Sequence, residues 1–116
     1  MENNQQHDEK EVEGMIKDYQ SVQNQLRATS MQVEQLQMQK ADMEMARKEI
    51  ESSSGKVFIS VGGVLVETTK ESALKDITEK QEVSEVRLSS ATKMQSELKT
   101  KEKQLRETLT KMSGQR

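Results

Sequence analysis

Two narrow apolar stripes of equal length organise the sequence. The first runs Val12, Met15, Tyr19, Val22, Leu26, Thr29, Val33, Leu36, Lys40, Met43, Arg47 and Ile50, in alternating steps of three and four residues. The second runs Leu74, Ile77, Gln81, Ser84, Leu88, Ala91, Gln95, Leu98, Glu102, Leu105, Leu109 and Met112 with the same rhythm. Nine of twelve positions are apolar in the first stripe and eight of twelve in the second. Steps of three and four keep side chains on one line along a helix. A stripe this narrow suits pairing with another helix rather than covering a globular core. Each stripe spans 39 residues, about 58 Å of helix at 1.5 Å per residue.

Equal lengths predict that the two helices pair with each other, antiparallel. Setting Ile50 against Leu74 brings Val12 level with Met112 and places two polar layers in the seam, Thr29 with Gln95 and Lys40 with Ser84. Polar seam positions cost stability but can fix register. The ends agree in charge: residues 1–18 hold six acids and two bases, and residues 99–116 hold six bases and two acids. Acid near a helix N-terminus and base near a C-terminus both complement the macrodipole. Composition supports long helices that need a partner. The 116 residues contain no proline, one-third of them are charged with mixed sign, and the net charge is only −2.

A different composition separates the stripes. Ser52-Ser53-Ser54-Gly55 ends the first helix. Two β-branched runs follow, Val57-Phe58-Ile59-Ser60-Val61 and Val64-Leu65-Val66-Glu67-Thr68, with Gly62-Gly63 between them. Two glycines in that place predict a two-residue β-hairpin turn needing positive φ at both centres. Thr68 with Glu71 three residues on reads as a capping box for the second helix. The expected elements are therefore a first helix over 9–51, a hairpin over 56–68 and a second helix over 69–113, in a single domain. A lone apolar two-stranded ribbon is marginal in water and has two open edges. The strands Val57, Phe58, Ile59, Val61, Val64, Leu65 and Val66 are thus expected to complete a sheet or barrel with other subunits.

Several functions are excluded on composition. With no cysteine there is no disulfide framework or thiolate chemistry, which points to a reducing compartment. No apolar run approaches a membrane span, and MENNQQHDEKE is too polar for a signal peptide. Ser54-Gly55-Lys56 fails as a phosphate loop, because Val57 replaces the hydroxyl residue and Ile50 the first glycine. The one histidine, His7, stands in a polar tail, and no metal, cofactor or catalytic site is expected. Nucleic acid is not an expected partner at this net charge, with Tyr19 and Phe58 both absorbed in structural patterns. Met31, Met38 and Met45 recur every seven residues opposite the seam. They read as an adaptable apolar contact stripe, as scattered surface methionines, or as a neighbouring-subunit contact. Ile16 flanks Val12 and Met15 near the free end, opposite Leu105, Leu109 and Met112, where fraying helix ends could bare a small apolar patch ringed by charge.

A long helix, then VFISVGGVLVETTKESAL, then an equally long helix resembles the β-type subunits of the prefoldin family. The likeness is most specific from Val57 to Leu88 and covers nearly the whole chain in architecture. It implies a mainly α fold, a long antiparallel coiled-coil hairpin joined by one β-hairpin that builds an inter-subunit β-barrel. It further implies a hexamer with α-type prefoldin subunits and further β-type copies, from which coiled coils hang as tentacles. Such complexes are ATP-independent cytoplasmic chaperones that hold unfolded client proteins and deliver them to a group II chaperonin. On this likeness assembly falls to Val57, Phe58, Ile59, Val61, Val64, Leu65 and Val66. Client contact falls to Val12, Met15, Ile16, Leu105, Leu109 and Met112. The alternative is a structural coiled-coil spacer or scaffold without client binding.

Overall fold

The computed structural model describes residues 2–114, with side chains from Glu9 onward; His7 lies outside the described side chains. The element order is helix α1 (Glu2–Ser52), strands β1 (Val57–Val61) and β2 (Val64–Thr68), and helix α2 (Lys70–Ser113). Helix α1 begins at Glu2 rather than at residue 9, since nothing before Gly14 interrupts a helix and the residues there need only be compatible with one. The described residues form two compact units, one of residues 2–32 with 91–114 and one of residues 33–90.

In the first unit Val22, Thr29 and Ala91 are buried, and Leu26, Leu98, Leu105 and Leu109 are half-buried around them. The seam positions read from the heptad rhythm are the covered ones. Gln95, expected opposite Thr29, instead donates from Nε2 to the hydroxyl of Ser30 at 3.0 Å, one residue along. A seam-facing amide therefore finds its partner on the flank of the neighbouring helix, and Thr29 is left inside.

In the second unit Val33, Leu36, Ala73 and Ser84 are the buried residues. Arg47 occupies a seam position and uses it fully. Its Nε donates to Gln81 Oε1 at 3.0 Å, its other nitrogens reach Thr78 Oγ1 and the Glu51 carboxylate (3.7 Å), and Thr78 in turn donates to the Leu74 carbonyl at 2.8 Å. The C-terminus of α1 has no basic residue in its last turn. The Lys70 ammonium from the start of α2 supplies one, donating to the carbonyls of Glu51 and Ser53 (3.4 Å for the latter). Those carbonyls are among the last that a helix leaves unpaired, and a cation there also suits the helix dipole.

The cap of α2 differs from the sequence reading by one residue. The Ser72 N–H donates to Thr69 Oγ1 at 3.0 Å, and the Ala73 N–H to the Thr69 carbonyl at 2.9 Å, so Thr69 is the N-cap. Thr68 cannot take that role because it closes β2 opposite Val57. The strand ladder decided the boundary over the local capping pattern.

The Lys40–Ser84 layer also differs from its expectation. Lys40 turns outward and pairs with Glu85 at 2.9 Å, both about half exposed. Burying its ammonium would cost several kcal/mol, whereas its long stem lets the charge reach water. The Ser84 hydroxyl stays behind, buried and without a hydrogen-bond partner. Two open hollows of about 360 and 180 Å³ flank this layer, and Met43 and Ser84 line both. Ser84→Ala should therefore raise stability by about 1–2 kcal/mol, through the lost unpaired hydroxyl and a better helix former. Urea titration followed by circular dichroism at fixed chain concentration checks this; a lower midpoint would show that the hydroxyl has a partner in solution.

Candidate interaction surfaces

The hairpin is an antiparallel pair in the register Val57 with Thr68, Phe58 with Glu67, Ile59 with Val66, Ser60 with Leu65 and Val61 with Val64. Its turn is Gly62-Gly63, with φ of 56° and 82°. Both values lie where a Cβ is penalised, so the two glycines set the reversal as the sequence implied. Directly opposed residues share a face of the ribbon. One face therefore carries Val57, Ile59, Val61, Val64, Val66 and Thr68; the other carries Phe58, Ser60, Leu65 and Glu67.

Neither face is closed. Val57, Ile59 and Thr68 are half-buried, but towards the turn Val61, Val64 and Val66 are exposed. On the second face Phe58 is half exposed and Leu65 is 71% exposed, beside the Lys56–Glu67 pair at 3.7 Å. The sheet has two strands, so among the described residues each strand also has an outer edge without a strand partner. Covering Phe58, Val61, Val64, Leu65 and Val66 would stabilise on the order of 1–2 kcal/mol apiece, given that full burial of such side chains contributes about 1.5–3 kcal/mol.

The six residues near the helix ends are placed differently. Val12, Met15, Leu105, Leu109 and Met112 are half-buried seam residues; Ile16, at 42% exposed, is the one that faces outward. Beside them stands a network that sequence reasoning missed. Tyr19 donates its phenol O–H to Glu102 Oε1 at 3.0 Å, and Arg106 approaches the same carboxylate at 3.5 Å. Glu102 reads in the sequence as a fault in the apolar stripe. A tyrosine across the seam was the signal that could have explained it, because its hydroxyl needs an acceptor. Hydrogen bonding to Glu102 raises the Tyr19 pKa above the ordinary phenol value, with burial and the carboxylate charge adding and Arg106 opposing. Among the described residues no cluster of three His, Asp or Glu side chains could hold a metal ion, and no helix is long and apolar enough to cross a membrane.

Comparison with known proteins bears on these two surfaces. The family model described as prefoldin subunit matches residues 13–116. The chain belongs to the prefoldin subunit family. Among solved structures, the crystal structure of the prefoldin beta subunit from Thermococcus strain KS-1 is similar to it over 88% of this chain and 91% of that one, at 31% identity and a TM-score of 0.81. A search of curated protein sequences gave no match. The single β-hairpin between two long helices is thus that of a β-type prefoldin subunit.

Because the Tyr19 phenol is favoured in its neutral, donating form, its bond contributes stability below the ordinary phenol pKa and loses it as pH rises through the raised one. Tyr19 is the only tyrosine and there is no tryptophan, so tyrosinate absorbance reports this group alone. Its midpoint should lie above that of the urea-unfolded chain, and Glu102→Ala should narrow the gap between the two. Coincident midpoints in the native protein would mean the bond is not kept in solution.

Proposed function

We propose that the chain is the β-type subunit of an ATP-independent holdase. The open apolar ribbon carries this reading. A two-stranded hairpin with neither face closed and, among the described residues, no strand partner on either edge is marginal alone and an aggregation hazard, so its natural fate is burial against other subunits. Its partners are α-type prefoldin subunits and further β-type copies, joined through Val57, Phe58, Ile59, Val61, Val64, Leu65 and Val66 in a hexamer with a β-barrel body. The helix ends, with Val12, Met15, Ile16, Leu105, Leu109 and Met112, hold unfolded client proteins for delivery to a group II chaperonin in the cytoplasm. The reading uses no cofactor, metal or catalytic residue.

One observation favours the rival reading, a structural spacer without client binding. Five of the six end residues already pack in the seam, which leaves Ile16 as their outward apolar contact. A holdase on this chain would have to gain its grip by local opening of the seam near the helix ends, or by many weak contacts summed over several subunits.

Two experiments separate the claims. Val64→Asp with Val66→Asp should abolish the complex with an α-type partner and release mainly helical monomers, since charge would enter a buried sheet; an unchanged mass by light scattering would overturn the assembly role. Deleting residues 1–16 and 105–116 should leave the complex assembled but remove its suppression of client aggregation, with no nucleotide present in either case. Full protection by the truncated assembly would put client binding elsewhere on the chain. Ile16→Ser alone should weaken protection in the same direction, by less.

A further inference from the structure

Several exposed apolar side chains serve neither the seam nor the hairpin, among them Val83, Val86 and four methionines. The chain has no cysteine and no tryptophan, so its thioethers are its principal targets for mild two-electron oxidants. The described methionines fall into two groups. Met15, Met43 and Met112 stand at seam positions and are half-buried. Met31, Met38, Met45 and Met94 stand outside the seam and are 61%, 67%, 66% and 55% exposed. Three of these four repeat at seven-residue intervals on the side of α1 opposite its own apolar stripe, where they make no seam contact.

We propose that Met31, Met38, Met45 and Met94 are oxidant-accepting sites: hydroperoxides convert these four thioethers to sulfoxides before they reach Met15, Met43 and Met112, and that reaction is spent outside the seam. In each event a sulfur lone pair attacks a peroxide oxygen, an S–O bond forms and the O–O bond breaks. The displaced oxygen leaves, with its protons, as water from hydrogen peroxide or as an alcohol from an organic hydroperoxide. The sulfur loses two electrons and the peroxide gains them.

Position decides both rate and consequence. Attack needs an approach path to sulfur, which the exposed group offers and the seam group restricts. A sulfoxide oxygen is a strong hydrogen-bond acceptor. On the outer face of α1, where Met31, Met38 and Met45 stand, water satisfies it, and Met94 beside the seam residue Gln95 is exposed enough for water to reach it too. At Met15 or Met112 it would enter an apolar layer, where an unpaired polar group is costly. Met43 is likewise a half-buried seam residue, beside Ser84 in the lining of both hollows. The exposed four therefore take up oxidant at sites the fold tolerates and leave less of it for those that the fold does not.

The test treats the full chain, alone and in complex with an α-type partner, with a limiting amount of hydrogen peroxide, stops the reaction with catalase, and maps added oxygen by peptide mass spectrometry. Met31, Met38, Met45 and Met94 should be oxidised several-fold faster than Met15, Met43 and Met112, with helicity and the number of subunits in the complex unchanged. Replacing all four by leucine, which keeps a good helix former at each site, should slow peroxide consumption several-fold and raise seam oxidation at the same dose. Equal rates in the two groups overturn the proposal, as does loss of helicity when only the four are oxidised. Protection of the four within the complex overturns it too. The wild-type rates alone decide the matter should the leucine variant fold poorly.

Discussion

A helix pair joined along one narrow stripe has a single layer of buried side chains. Val22, Val33, Leu36, Ala73 and Ala91 are the whole of the buried apolar set among the described residues, and no large side chain is completely enclosed. Helices of this length owe most of their stability to such packing rather than to intrinsic propensity. Each polar residue admitted to the seam therefore matters, and the chain handles them in three ways. Arg47 and Gln81 satisfy each other across the interface, Lys40 leaves for the surface, and Ser84 remains unpaired. Only the last weakens the layer it occupies.

The junction with the ribbon is held differently, by polar contacts at helix ends. Helix α1 stops where Ser53 closes back on Ile50 at 3.2 Å, and the carbonyls it leaves open are taken by Lys70. Thr69 caps the next helix one residue before that lysine. The two helix termini are thus tied by adjacent residues of one short segment, and the strands between them begin and end at a fixed place. This makes the hairpin's position a consequence of capping chemistry, while its register comes from the glycine turn.

The seam was legible in the sequence because its period is regular: all twelve positions of the second stripe, and all but Lys40 in the first, are buried or half-buried. The turn was legible because Gly62 and Gly63 are the residues that positive φ demands. Side-chain partners were not legible, for a physical reason. Gln95, Glu102 and Lys40 have several rotatable bonds, and each reaches a partner away from the position directly opposite it: Ser30, Tyr19 and Glu85 respectively. A register fixes the level of the backbone but not the direction taken by a flexible side chain. The N-cap falls one residue later than the capping pattern predicts, because two threonines stand in a row and the strand pairing of Thr68 settles the choice. Which faces of the ribbon stay open was foreseen only in outline, since alternation assigns residues to faces without saying how far the helices cover them.

The two proposed surfaces differ in how their apolar groups are kept, and the difference has a consequence for mechanism. The ribbon carries Val61, Val64 and Leu65 at more than half exposed, with nothing among the described residues closing over them, so its apolar surface is available without any rearrangement. Near the helix ends the apolar groups are mostly engaged with each other, and baring them means undoing seam contacts. Such opening is least costly at Met112, in the last turn of α2, whereas Val12 stands about three turns inside α1. On the proposed reading the constant surface serves permanent assembly and the latent one serves transient capture. A permanently open patch at the helix ends would invite the association that the ribbon already provides, and the chain would then have two competing modes of joining its own copies. On that reading, half-buried end residues reserve strong apolar contact for the hairpin and leave the ends with contacts weak enough to release a client.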